Sequence, residues 1–183
     1  MSKLSVFNFV TLNGFFKGPN EDISWAHSSP EDDYASEMLE HESSLLFGRK
    51  TYEQMVSYWP TPQAKKQSPK VAQGMNKAEK LVFSRSLQKV DWENARIVKG
   101  NIVEEVRKLK QQSPKDMTLL GSGSIVTLFS QHGLVDEYQI LVHPVALGEG
   151  TPMFKGLDKK LELKLRESRA FKSGNILLIY ESS

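Results

Sequence analysis

Residues 117–129 read Met-Thr-Leu-Leu-Gly-Ser-Gly-Ser-Ile-Val-Thr-Leu-Phe: an apolar run, a glycine turn, then apolar positions at helical spacing. That order predicts a buried strand handing directly into a helix whose inner face carries Ile125, Leu128 and Phe129. A strand that feeds a helix belongs to a sheet with helices laid on its faces, because the helix carries the chain back to start a parallel neighbour. The pattern recurs upstream. Ser44-Leu45-Leu46-Phe47 ends at Gly48, and Tyr52, Met55, Val56 and Trp59 then fall at i, i+3, i+4 and i+7. Lys80-Leu81-Val82-Phe83-Ser84 reads as a further strand, and Leu4–Val10 as an interior one. The C-terminal third changes character. Tyr138–Val142 is a strand closed by Pro144, and Leu161, Leu163 and Leu165 alternate with Glu162, Lys164 and Arg166 as a strand with one wet face. A turn at Lys172–Asn175 then leads to Ile176–Tyr180, apolar enough for burial on both faces. The prediction is one α/β domain over residues 1–183, with a mixed, mostly parallel sheet flanked by helices and a C-terminal antiparallel hairpin.

Local signals add detail. Pro30 with Glu31, Asp32 and Asp33 opens a helix, since proline suits a first turn and acids suit its positive end. Asn101 with Glu104 is a capping pair, and Gly133 is placed to end the helix after the glycine turn. Residues 60–70, rich in Pro, Gln and Lys, read as an exposed loop. A net charge of +2 with scattered basic residues argues against a nucleic-acid surface, and the absence of cysteine excludes disulfides and thiolate chemistry. The four histidines show no metal-ligand spacing. No segment has the length of a membrane span, and Met1-Ser2-Lys3 leads into a strand rather than a signal sequence, so the expectation is a cytoplasmic protein.

Three junctions invite an anion. At Gly121-Ser122-Gly123-Ser124-Ile125 a turn enters a helix and aims backbone N–H groups at whatever sits above it. Tight strand–helix packing accounts for such a turn equally well. At Gly48-Arg49-Lys50-Thr51 two cations sit at the positive end of a helix, where they are unfavourable unless an external anion compensates them, and Thr51 is placed to cap. Ser84-Arg85-Ser86 supplies hydroxyls and a guanidinium suited to a monophosphate, or forms a plain turn. Neither a Rossmann fingerprint nor a P-loop is present, because Val126 stands at the third glycine position and no G-K-[ST] occurs.

The motifs together carry a resemblance. They are Val10-Thr11-Leu12-Asn13-Gly14-Phe15 with Gly18-Pro19 and Trp25; Leu46-Phe47-Gly48-Arg49-Lys50-Thr51-Tyr52-Glu53; Val82-Phe83-Ser84-Arg85; Gly121-Ser122-Gly123-Ser124; and Gly133–Tyr138, His143-Pro144-Val145 and Leu147–Phe154. In that order the chain resembles the dihydrofolate reductase-like superfamily, nearest the reductase domain of bacterial riboflavin biosynthesis, the RibD C-terminal domain. The resemblance implies a three-layer fold and an NADPH cofactor. Gly48, Arg49, Lys50 and Thr51 would hold its phosphates, Ser84 and Arg85 its 2′-phosphate, and Gly121–Ile125 its pyrophosphate. The backbone of Phe9 and Val10 would meet the nicotinamide, with the Gly14–Gly18 loop as a lid. It also implies a homodimer. Asn13 stands where this branch commonly has Asp, and Ser122 where it commonly has Gly.

Hydride transfer also needs a proton. Asp32 resembles the acidic substrate-binding residue of the folate-reducing branch, and it reads equally as a first-turn helix acid. Asn13, Trp25, His143, Glu149 and Thr151 are further candidates for a substrate pocket. Two functions follow. One is an NADPH-dependent reductase of a small heterocycle, pterin- or pyrimidine-like, for example of the 5-amino-6-ribosylaminouracil phosphate type. The other is a non-catalytic NADP(H)- or nucleotide-binding regulatory module of the same fold.

Overall fold

The computed structural model describes residues 1–26 and 34–183. Its strands are β1 (Leu4–Thr11), β2 (Phe15–Lys17), β3 (Ser44–Gly48), β4 (Lys80–Phe83), β5 (Ala95–Val98), β6 (Met117–Leu120), β7 (Glu137–His143), β8 (Thr151–Pro152), β9 (Leu163–Ala170) and β10 (Ile176–Ser182). The helices are α1 (Tyr34–Glu40), α2 (Arg49–Tyr58), α3 (Pro62–Gln67), α4 (Pro69–Lys77), α5 (Ile102–Gln112) and α6 (Gly123–Gln131). Eight strands form a mixed, mostly parallel sheet in the order β5-β4-β3-β6-β1-β7-β10-β9, flanked by helices, and β2 pairs separately with β8. The chain divides into two compact units, one of Met1–Leu4 and Tyr34–Ser122, the other of Ser5–Asp33 and Gly123–Ser183.

In the first unit β5, β4, β3 and β6 are all parallel, and register pairs Gly48 with Phe83, Phe83 with Val98 and Leu46 with Leu119. All four strands therefore end at one edge. Leu45, Leu46, Phe47, Leu81, Val82 and Leu119 are at most 1% exposed, as expected for strands covered on both faces. Residues 60–70, expected as a loop, are instead α3 and the start of α4. Pro62 and Pro69 each stand in the first turn of a helix, where the missing N–H costs nothing, and the Thr61 hydroxyl accepts from Ala64 N at 3.2 Å as the N-cap of α3. β5 gave no sequence signal; its Ala-Arg-Ile-Val is short and half-exposed. Asn101 caps α5 as expected, its Oδ1 accepting from Val103 N and Glu104 N at 3.2 and 3.4 Å. Glu104 itself turns outward to Arg107.

The core of this unit holds a charge. Lys80, wholly buried, begins β4. Its Nζ donates to the carbonyls of Asn76, Ala78 and Glu93 at 2.9, 2.6 and 2.8 Å and lies 4.6 Å from the centre of the Trp92 ring. Three donors meet three acceptors, two of them at the C-terminal end of α4, where the helix dipole favours a cation. Trp92 is fixed in turn by its indole N–H on Asn76 Oδ1 at 2.7 Å and by Phe47, whose ring lies 6.1 Å away.

In the second unit β1 runs parallel to β7, and β10 is antiparallel to both β7 and β9. β10 is buried on one face only. Leu177 and Ile179 are enclosed, whereas Ile176 is 43% exposed, which corrects the expectation of two covered faces. Tyr138 of β7 donates from its hydroxyl to Ser130 Oγ of α6 at 2.7 Å, and this fastens the helix to the sheet. Gly133 closes α6 with a positive φ of 62°.

Burial pulls the Lys80 ammonium down to about 8 from its ordinary 10.5, against the opposing pull of Glu93. Below pH 8 folded and unfolded chains both carry this proton. Between pH 8 and 10.5 the unfolded chain carries more, so stability rises with pH there. The expected gain reaches about 3 kcal/mol, at 1.36 kcal/mol per pKa unit. Denaturant unfolding of the parent and Lys80→Met across pH 7–10.5 checks this. The rise should be present in the parent and absent from the less stable variant; parallel profiles would remove Lys80 as its source.

Candidate functional site

The shared edge of β3, β4 and β6 carries the three predicted anion junctions, and all of Gly48–Thr51, Ser84–Arg85 and Gly121–Ser122 belong to the first unit. α2 starts directly from β3 with Gly48 as its N-cap, with no side-chain cap and no acid in its first turn. Thr51 is thus the third helical residue rather than the cap, and it is 8% exposed. Arg49 is compensated within the helix. Its guanidinium donates to both carboxylate oxygens of Glu53 at 3.1 Å, an i,i+4 pair worth about 0.3–0.5 kcal/mol. Arg49 therefore needs an external anion less than the tetrapeptide alone suggests. Lys50 is exposed on the same turn.

The turn after β6 is built against this helix start. Gly121 and Ser122 are both left-handed, with φ of 60° and 57°. A Cβ on Gly121 would lie 2.9 Å from Thr51 Oγ1 and 3.0 Å from its Cγ2, so glycine is required twice over. Ser122 carries a left-handed backbone without being glycine, at a cost of roughly 1–2 kcal/mol. Its Oγ accepts from Gly48 N at 2.7 Å and lies 3.1 Å from Thr51 Oγ1. Two such hydrogen bonds, each worth about 1 kcal/mol, offset that strain.

Ser84 is 8% exposed and committed to its own turn, where its Oγ accepts from Ser86 N at 3.2 Å and Leu87 N at 3.0 Å. Arg85 is exposed and forms no ion pair among the described residues. Of the pair, the guanidinium is the group available to a ligand.

The second unit gathers the other candidates. Thr11 and His143 pair in register at the C-terminal ends of β1 and β7. The His143 ring, 3% exposed, meets Phe9 and Trp25 edge-on at centroid distances of 5.5 and 5.6 Å. Val10 is buried beside Val142. Asn13 is a clip. Its Oδ1 accepts from Thr11 Oγ1 at 2.8 Å and Leu147 N at 3.2 Å, while its Nδ2 donates to Leu147 O at 2.8 Å. This explains the departure from Asp, because a carboxylate accepts from Thr11 and Leu147 N but repels the Leu147 carbonyl. With Leu12 N donating to Val145 O and Met153 N to Gly14 O, the predicted lid is stitched to residues 145–153 along its length. Thr151 serves that stitching, as the ladder partner of Lys17 in the β2–β8 pair. Glu149 is exposed, and Asp32 lies outside the described residues.

Gly123 answers the packing question for its own position. A Cβ there would lie 2.6 Å from Cζ of Phe16, whose ring rests on the first turn of α6. Ser124 is exposed and Ile125 is buried at 9%, so Ile125 offers a ligand its backbone only. Phe16 had no signal beyond being one of two adjacent phenylalanines. Thr11, 1% exposed, is not singled out in the sequence; its hydroxyl donates to Asn13 Oδ1 and accepts from Phe15 N at 3.0 Å. Among the described residues no group of side chains is arranged to hold a metal, and no helix is long and apolar enough to cross a membrane.

Alanine normally stabilises a helix relative to glycine by about 1 kcal/mol. Gly123→Ala should do the opposite, because the Phe16 ring must move away with β2. A melting temperature lowered by several degrees is expected, with partial rescue by the additional change Phe16→Leu. A stabilised Gly123→Ala variant would show that Phe16 does not rest on the helix.

The RibD C-terminal domain family model matches residues 2–177. An uncharacterised protein of Bacillus subtilis, YyaP, is 34% identical over 171 residues, covering 93% of this chain and 90% of its own. A putative riboflavin biosynthesis protein from Shewanella superposes with a TM-score of 0.78 at 20% identity, over 99% of each chain. A Thermotoga maritima diaminohydroxyphosphoribosylaminopyrimidine deaminase/5-amino-6-(5-phosphoribosylamino)uracil reductase superposes at 0.73 with 16% identity, over all of this chain and 57% of its own. By this match along nearly its whole length, on a shared sheet topology, the chain belongs to the RibD C-terminal domain family.

Proposed function

We propose that the protein is an NADPH-dependent reductase of a small heterocycle of pterin or pyrimidine type. The observation that carries the reading is the common edge of β3, β4 and β6. Three chain exits there present an uncapped helix start, a pair of left-handed residues and an exposed arginine. These donors fit a diphosphate with a further phosphate nearby. In this reading the backbone of Gly48–Thr51 and Gly121–Ser122 holds the diphosphate and Arg85 the 2′-phosphate. The cofactor supplies the hydride when bound; the chain's own part is orientation and exclusion of water. The half-buried rings of Phe9 and Trp25 stand edge-on against the buried His143, and the Asn13 clip holds the loop after β1 in place. Cytoplasmic location and homodimeric assembly belong to the same proposal, the latter in keeping with Leu165 and Ile176, 50% and 43% exposed on β9 and β10.

Titration with both nicotinamide cofactors tests the reading. NADPH should bind more tightly than NADH. Arg85→Ala should weaken NADPH about tenfold or more, the value of one charge-assisted contact, and leave NADH nearly unchanged. Equal affinity for the two cofactors in the parent would contradict the 2′-phosphate assignment. Oxidation of NADPH across a panel of pterins and aminouracils then separates the reductase from the non-catalytic nucleotide-binding module, which would bind NADPH and turn over none of them.

A further inference from the structure

Ser122 holds a backbone position made for glycine, and its hydroxyl is not turned to solvent. It reaches across to the next strand exit, where it accepts from Gly48 N at 2.7 Å and meets Thr51 Oγ1 at 3.1 Å. The neighbouring Gly121 packs its bare Cα against the same Thr51 side chain. The exit of β6 and the first turn of α2 are thereby locked together, by a side chain at one residue and by the lack of one at the residue before it. Serine gains nothing from a φ of 57° by itself. The hydroxyl contact is what the structure offers in return.

We propose that Ser122 is a positioning residue for recognition of a diphosphate. Its hydroxyl registers the donors of the β6 exit against those of the α2 start, so that a ligand with two linked phosphoryl groups meets both sets already aligned. The inference rests on the cofactor reading above and deepens it, because it assigns the Ser122 side chain no contact with the ligand. The physical ground is preorganisation: a ligand that bridges two segments must otherwise order them against each other as it binds. A single phosphate that engages one segment carries no such cost.

The test uses the full chain with Ser122→Gly and Ser122→Asn, and with orthophosphate, inorganic pyrophosphate and NADPH as probes, followed by amide NMR shifts and calorimetry. Glycine suits the left-handed backbone and removes the hydroxyl. It should leave the melting temperature close to the parent's while weakening pyrophosphate and NADPH about five- to tenfold, the scale set by one or two newly mobile contacts. Orthophosphate affinity should stay within about twofold on the same ground. Asparagine tolerates left-handed φ and restores a side-chain acceptor, so it should recover most of the loss. Parent-like binding of pyrophosphate by a folded Ser122→Gly variant would overturn the inference. So would an equal loss for orthophosphate, which would mean direct contact or general damage. A parent that binds neither NADPH nor pyrophosphate would instead sink the cofactor reading itself.

Discussion

Parallel pairing of β3, β4 and β6 is the constraint on which the rest depends. Parallel neighbours cannot be joined by tight turns; each needs a crossover, and each crossover starts at the same edge. Gly48, Ser84 and Gly121 are far apart in sequence, yet register brings their strands out side by side. Nothing about any one of these tripeptides is specific. Their chemistry becomes legible only because hydrogen bonding of the sheet places an uncapped helix start, an arginine and a left-handed turn along one line. At the other end of β4, Lys80 is held by three carbonyls and an indole, so the edge that begins the strand is a closed structural joint.

The glycines of the turn after β6 have two separate reasons, and neither is a ligand. Gly121 makes room for Thr51, and Gly123 for Phe16. A glycine-rich turn is therefore poor evidence of phosphate binding by itself. The case passes to the polar groups that packing leaves unexplained: the missing cap and missing acid at the start of α2, the exposed Arg85, and a serine strained into a glycine conformation in order to reach Gly48.

Periodic elements were readable in the chain. β1, β3, β4, β6 and β7, the helices α2, α5 and α6, and the closing hairpin follow from apolar spacing and turn residues, which suffices for the fold class though not for β5, and the family follows from the motifs at the strand ends. What was not readable depends on partners distant in sequence or on context. Pro62 and Pro69 look like loop residues until each is seen as the first residue of a helix. Arg49 looks uncompensated until Glu53, one turn on, is seen to take both its contacts. Thr51 looks like a cap by residue type, but β3 runs one residue further and Gly48 takes that place. Asn13 looks like a pocket residue that departs from the family's Asp, and its amide is matched as both donor and acceptor to Leu147, 134 residues away, which presents both N–H and C=O to it. A motif specifies residue types; whether they face a ligand or another loop is settled by tertiary contacts.

The central claim is that the common edge of β3, β4 and β6 receives the phosphates of a nicotinamide cofactor. A crystal structure of the protein with NADPH tests it most directly. The account predicts the diphosphate along Gly48–Thr51, on the backbone amides of Arg49, Lys50 and Thr51, and at Gly121–Ser122, with the 2′-phosphate at Arg85. A cofactor seated with its phosphates away from these three chain exits would contradict it.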